Sequence, residues 1–529
     1  MFDTIISNAR IVDGSGAPWF EADLAVIDGK IAKIGDLSGQ DANHVVDAAG
    51  KVLSPGFIEI HGHSDATLLI NPLAESSIHL GVTTECIGNC GSSLFPVTSL
   101  TEPLILNHFT AFVPDYEINW SNLAQLKEKY ESQGISVNVV PLIGHNVVRA
   151  AVKGSDMGPS TPDERRRMAD LVEVALEQGA RGFSSGLEYS PGSAADLDEL
   201  IALTAPLAKY RGLYATHIRN RDLRYLEAIQ EALTIGRRNG VAVQISHNVA
   251  KIGAPAGIME KVLSEIERAR KEGLDVAFDV GAYLGGQTTP LGSLPPWAFD
   301  GGPEKTLERL ADPEVRQKMK AYQYPIWRII KMGRWDKVWL ASSSANSHLV
   351  GKTFAQISQK QGKDPYDTLF DLLLDEGGGF YDLMWEGEIY YPEDRDLVLK
   401  HPWSSICCDG RTLAPYGLLS KQDYHHVYTW TAYVLRYHVR ELGFLRLEEA
   451  IHKMTGNSAN RLGLFDRGLI REGLAADLVL FDPVGICDRA TLENPHLYPQ
   501  GIDYVWVNGE LTLDQGRHTG RTSGRVLTW

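Results

Sequence analysis

The spacing of apolar residues changes character twice along the chain. Near the start, TIISNARIVDG, DLAVIDGKIAKIG and HVVDAAGKVLS alternate apolar and polar positions over short runs broken by Asp-Gly and Asn turn signals. Near the end, ADLVLFD, YVWVNGELTLD and the stretch closing at Trp529 read the same way. A period of two marks half-buried strands. The likeness of the two ends predicts one small β-sandwich assembled from residues 1–54 and 465–529.

The middle follows another rhythm. Short apolar runs precede longer stretches with apolar residues at i, i+3 and i+4, the pattern of a parallel sheet with crossover helices. The runs are VLSPGFIEI, VTTECIG, ISVNVVPLIG, ARGFSSG, GLYATHI, VAVQISH, LDVAFDV and SSICCD. MADLVEVALEQGA, LRYLEAIQEALTIGRRNG and IMEKVLSEIERARKEG lie among them as helices, the first and last running into a Gly stop. Eight such strands predict a closed (β/α)8 barrel over residues 55–464. A long insertion at about 284–400, rich in Pro, Trp and Gly, separates the seventh and eighth strands and predicts a lid or side wall.

A chain of 529 residues with 43% hydrophobic residues can bury a large core, and a barrel absorbs 250 residues or more as one unit. The net charge of −16 argues against nucleic acid or an anionic membrane as the main partner. No basic n-region followed by an apolar stretch opens the chain, and no apolar run of about 18 residues occurs, so neither a signal peptide nor a membrane span is expected. Five sparse cysteines do not make a disulfide framework, and the expected compartment is a reducing cytoplasm. A homo-oligomer is compatible with all of this.

In a barrel of this class the C-terminal strand ends carry the chemistry. The first strand ends in IEIHGHSD, and the two-residue repeat of an extended chain turns His61 and His63 to the same side. The fifth ends in YATHIRN with His217, the sixth in QISHN with His247, and the eighth in CCDG with Asp409. The second ends in GNCG, with Cys90 between glycines. Singly, each has an ordinary explanation: exposed turn histidines, hydrogen-bonded structural histidines, an Asp-Gly turn, a small buried Cys. Together they place imidazole, carboxylate and thiolate on one barrel face, the ligand set that Zn²⁺ prefers.

Carrying these motifs, the chain resembles the amidohydrolase superfamily and, within it, the D-aminoacylase (N-acyl-D-amino-acid deacylase) family. HGHSD, GVTTECIGNCG, GFSSGLEYSPG, THIRN, QISHN, PPWAFDGG, KMTGNSANRLGL, DRGLIREGLAADLVLFDP and GIDYVWVNG resemble family segments over nearly the whole chain. GNCG discriminates, since the related hydantoinases and dihydroorotases bridge their metals with a carboxylated lysine. The resemblance implies a zinc held tightly by Cys90, His217 and His247, and a weaker second site, filled or empty, at His61, His63 and Asp409. It implies hydrolysis of a linear, non-peptide amide of a small-molecule substrate. Zinc lowers the pKa of water to about 7, and Asp409 can accept the proton and pass it to the leaving amine. Tyr189 in GLEYSPG and Tyr283 in FDVGAY match family tyrosines near the substrate, against an equal expectation of barrel packing.

The resemblance breaks at two points. The family carries Lys two residues after the sixth-strand His, whereas here Asn248 and Val249 follow His247 and the first lysine is Lys251. The family also shows a His-Pro-Arg segment after the eighth strand, where this chain reads His425-His426-Val427-Tyr428. A substrate carboxylate needs a cation, usually Arg. Arg411, Arg219, Arg221 or Lys251 can replace the missing charges at the substrate, or Tyr428 and Trp430 can line an apolar pocket. An uncharged or bulkier N-acyl amide is therefore expected. The rival readings are a cyclic amide hydrolase of hydantoinase type and a non-catalytic scaffold on the same fold.

Overall fold

The computed structural model describes all of residues 1–529. Eight parallel strands form its centre: β1 Phe57–Glu59, β2 Val82–Ile87, β3 Asn138–Gly144, β4 Gly182–Gly186, β5 Leu213–His217, β6 Ala242–Ile245, β7 Val276–Gly281 and β8 Ser404–Cys407. Each lies beside its neighbours in sequence, and each falls within one of the eight apolar runs except β7, which passes its run by one residue at Gly281. Parallel ladders join them from β1 to β8. Where β8 meets β1, side-chain and loop bonds stand in for a ladder. The Cys408 N–H donates to the Glu59 carboxylate at 2.7 Å, and the His63 N–H to the Gly410 carbonyl at 2.8 Å.

The crossover helices form where the periodicity placed them. Helix α1, Pro162–Glu177, opens with a reciprocal capping box between Thr161 and Glu164 and with Pro162 in the first turn. Helix α2, Tyr225–Asn239, stops at Gly240, whose φ of +63° is the left-handed conformation of a helix C-cap. Helix α3, Ile258–Lys271, buries Met259, Val262, Leu263, Ile266 and Ala269 along one stripe. Each large side chain buried this way contributes up to about 1.5–3 kcal/mol.

The two ends of the chain share one nine-stranded sheet. Phe2–Ile11 pairs with Phe20–Ile27, Ala42–Asp47 and Val52–Pro55, and Val52–Pro55 hands the sheet on to Leu478–Phe481. Lys30–Gly35, paired with Phe20–Ile27, and Ile502–Val507, Glu510–Asp514 and Arg517–His518 complete it. It packs around its own core, which includes Ile6, Leu24, Leu480 and Trp506. The last residues then leave the sheet and cross the N-terminal ends of β3 and β4. The Leu527 N–H donates to the Val139 carbonyl at 2.7 Å, and the Trp529 indole to the Ala180 carbonyl at 2.9 Å. This seals the end of the barrel opposite the chemistry.

Between β7 and β8 the insertion folds as a unit with its own core. Gly285–Thr288, Met384–Glu388 and Val338–Ser342 make a three-stranded antiparallel sheet. Trp327 stacks on Trp385 at 4.7 Å within a core that also holds Trp335, Phe354 and Leu369. The insertion docks on the loop after β6: the Ile252 N–H donates to the Ile389 carbonyl at 2.8 Å, and Lys251 forms a β-bridge with Tyr390. It is thereby fixed beside the C-terminal strand ends.

Candidate active site

His217 is the last residue of β5; His61, His247 and Asp409 follow β1, β6 and β8 by two residues, and Cys90 sits in the turn after β2. Their side chains converge. Cys90 Sγ lies 3.2 Å from His61 Nε2, 3.6 Å from His217 Nδ1 and 3.7 Å from His247 Nε2. Asp409 Oδ1 lies 3.2 Å from His63 Nε2 and 3.5 Å from His61 Nε2. The donors fall into two groups that share one atom: Cys90, His217 and His247, and Cys90, His61, His63 and Asp409, within 4.8 Å of one another in each group.

Backbone strain goes with the convergence. Cys90, His247 and Asp409 have φ values of 52°, 36° and 58°, in the region that non-glycine residues seldom adopt. Such strain persists only where the surroundings over-determine it, as at a functional site. The glycines around Cys90 make its turn possible. Gly88 has a φ of +79°, and a Cβ there would lie 2.1 Å from the Leu142 carbonyl oxygen.

Three carboxylates absent from the sequence reading hold the ligands in place. The Glu188 carboxylate accepts from His217 Nε2 at 2.6 Å, which turns Nδ1 toward Cys90. Asp279, inside β7, accepts the His247 N–H at 2.7 Å and lies 3.4 Å from His61 Nδ1. Glu59 accepts the His61 N–H at 2.9 Å. Glu188 and Asp279, which face the rings of His217 and His61, are of the kind that fix imidazole tautomer and orientation in metal sites, while Glu59 holds the His61 main chain. Their signal in the sequence was a lone acid inside an apolar strand, in FIEI and AFDV, and one just past a strand, in GLEY.

The electrostatics call for a cation. Burial opposes ionisation of Cys90, but His61 and the other imidazoles outweigh it and hold the thiol well below its usual value. Burial likewise opposes charge on His61, yet Cys90, Asp279 and Asp409 raise its pKa well above normal. Thiolate and carboxylates crowded in a buried space favour positive charge among them. Imidazole, thiolate and carboxylate donors are the set that suits Zn²⁺. The residues present therefore fit a metal centre with Cys90 between two positions.

A cavity of about 270 Å³ opens over this cluster. Its wall includes Tyr189, Arg221, Thr288, Tyr390, Asp382 and Arg411. Tyr189 reaches it with its ring 4.8 Å from that of His217 and its hydroxyl 2.8 Å from Thr288 of the insertion. Arg221 donates to the His247 carbonyl at 2.6 Å and to the Tyr390 hydroxyl at 2.7 Å. Arg411 lines the cavity without an ion pair or hydrogen bond to any other side chain.

Other candidates from the sequence lie elsewhere. Tyr283 is outside the cavity wall: its hydroxyl meets Thr429 at 2.5 Å and its ring stacks on His426 at 3.7 Å. Arg219 turns to the outer layer, paired with Glu231 at 3.0 Å and donating to the Ser193 and Ala195 carbonyls. Lys251 is buried under the insertion, donating to Glu188 at 2.5 Å and the Ile326 carbonyl at 2.6 Å. Tyr428 and Trp430 belong to the main apolar core, with Tyr428 near Tyr498 at 5.9 Å. Their aromatic stripe packs the turn onto the barrel, and the apolar part of the cavity wall comes instead from residues such as Leu291, Phe299, Ile326 and Trp327.

Residues 44–329 and 419–513 match the Amidohydrolase family. The chain is 32% identical to the N-acyl-D-aspartate deacylase of Alcaligenes xylosoxydans xylosoxydans, over 99% of this chain and 95% of that one. A crystal structure of D-aminoacylase superposes with a TM-score of 0.84 at 30% identity, covering all of both chains. The N-acyl-D-glutamate deacylase of Bordetella bronchiseptica, solved with zinc and a phosphonate mimic of the tetrahedral intermediate, gives 0.83 at 30% identity, again over all of both chains. With the barrel, the converging donors and this likeness over its whole length, the chain belongs to the amidohydrolase family, in its D-aminoacylase branch.

Proposed function

We propose that this protein hydrolyses the linear amide bond of N-acyl-D-amino acids, with zinc as its metal. Family membership makes it a metal-dependent hydrolase of carbon–nitrogen bonds outside peptides. The observation that carries the substrate class is Arg411, a guanidinium in the cavity wall with no acidic partner in contact. An unpaired Arg beside a reaction centre suits a planar carboxylate, which it can bind through two parallel hydrogen bonds. This favours an acid substrate over the uncharged amide expected from the missing Lys and Arg. The D configuration is taken from the relatives.

A bound metal at Cys90, His217 and His247, and at His61, His63 and Asp409, supplies Lewis acidity and a lowered pKa for water. The chain's own groups do the rest. Asp409 accepts a proton from the attacking water and returns it to the leaving amine. Tyr189 donates to the amide oxygen as charge develops there. The insertion, through Thr288 and Tyr390, limits access of bulk water. Cys90, in place of a bridging lysine, weighs against the cyclic-amide reading, and retention of the whole donor set weighs against a scaffold.

The test is turnover by zinc-loaded protein of N-acetyl-D- and L-amino acids, neutral N-acetyl amines and hydantoins, before and after chelation. The D-amino acid series should dominate, activity should vanish on chelation, and Arg411→Gln should raise KM for the acids by about 10²-fold or more. Faster turnover of neutral amides, with KM unaltered in Arg411→Gln, would overturn the reading.

A further inference from the structure

A further group of metal-type donors shares no residue with the Cys90 cluster. Glu386 projects from the insertion strand Met384–Glu388 and is 4% exposed. It forms no salt bridge, and Trp339 on the neighbouring strand is its one hydrogen-bonding group. A buried carboxylate without a cation is costly. Facing it, in the turn His425–Tyr428 after β8, are His425 and His426, and the donor atoms of the three lie within 4.8 Å of one another.

The imidazoles are prepared as ligands. His426 is clamped by the parallel Tyr283 ring at 3.7 Å, and its Nδ1 meets the Tyr424 hydroxyl at 3.2 Å, which leaves Nε2 free. A partner on one ring nitrogen that orients the other is what metal-binding histidines have. The His425 ring has no hydrogen-bonding partner and packs 4.2 Å from that of His426.

We propose that Glu386, His425 and His426 bind a third divalent cation, of zinc type, that ties the insertion to the barrel. Two imidazoles and one carboxylate select a borderline metal such as Zn²⁺ over Ca²⁺ or Mg²⁺, which take oxygen ligands. The tie joins two segments that both wall the catalytic cavity: Gln287 and Met384 from the insertion, and Gln422 and Tyr424 from the turn segment. At present they are joined by a bond from the Gln287 amide to the Asp423 carbonyl at 3.1 Å. With the cation in place, the cavity wall closes over a cross-linked frame.

The experiment starts from full-length protein with its catalytic centre loaded. Bound Zn²⁺ per chain is counted after equilibrium dialysis for wild type, Glu386→Gln and His425→Asn. Wild type should hold one Zn²⁺ more per chain than either variant, and zinc anomalous density should lie between Glu386 and the two histidines. Should Glu386→Gln fail to fold, the half-buried His425→Asn carries the test alone. Equal zinc counts in wild type and His425→Asn, or anomalous density confined to the Cys90 cluster, would overturn the proposal.

Discussion

The Glu188 carboxylate accepts a 2.6 Å hydrogen bond from His217 Nε2, and that bond fixes Nδ1 as the atom turned to Cys90. The same carboxylate takes the Lys251 ammonium at 2.5 Å, so one acid orients a ligand and neutralises a buried cation. Glu188→Gln should weaken metal binding by about 10–100-fold, the usual effect of losing a carboxylate behind a ligating histidine. Metal retained after dialysis against a competing chelator measures it. Unchanged retention would mean that Glu188 serves only the charge of Lys251.

In the proposed reaction Asp409 serves both as metal ligand and as proton carrier. Asp409→Asn keeps the shape and loses the base, so kcat should fall by about 10²–10⁴-fold. Metal analysis of the same sample separates the two roles. Full retention at Cys90, His217 and His247 with collapsed kcat assigns the loss to proton transfer.

If Arg411 holds the substrate carboxylate as proposed, Asp382 should make substrate binding sensitive to pH. Burial raises its carboxyl to about 7, with Arg411 pulling the other way. The group is neutral below that value and charged above it. When charged it competes for Arg411, so KM for an N-acyl amino acid should rise as pH climbs through about 7. KM for a neutral amide should stay level, and Asp382→Asn should abolish the dependence. A wild-type KM that is flat from about pH 6 to 8 would dissociate Asp382 from the substrate.

Trp529 anchors the closed end of the barrel. Its indole donates to the Ala180 carbonyl at 2.9 Å, and the Arg181 guanidinium lies 4.3 Å from its ring centroid. A hydrogen bond and a half-exposed cation–π contact together amount to about 1–2 kcal/mol. Trp529→Ala should lower stability to urea by that amount and leave kcat unchanged.

Much of the barrel was legible because parallel strands buried on both faces read as apolar runs, and seven of the eight runs contain their whole strand, the other falling one residue short at Gly281. The donors were legible because they stand at strand ends, where position and chemistry coincide. Glu188, Asp279 and Glu59 were not, since an acid in a strand is read for polarity and its partners come from distant segments. Arg219 and Arg221 show another limit. Two residues apart in a loop, they have no period to say which faces the cavity, and Glu231 on helix α2 captures Arg219. Tyr428 and Trp430 look like pocket aromatics in sequence, but their surroundings are core.

The composite sheet has a consequence for the order of events at the ribosome. Val52–Pro55 pairs along one edge with Phe2–Ile11, but its other edge finds a partner only in Leu478–Phe481, more than 400 residues on. That edge therefore emerges early and stays unpaired through the synthesis of the whole barrel. Contacts so far apart in sequence form slowly, and an open strand edge invites pairing with other chains. Polypeptides released before residue 478 lack the closing strand and should aggregate, whereas the completed chain covers the edge with Leu478–Phe481.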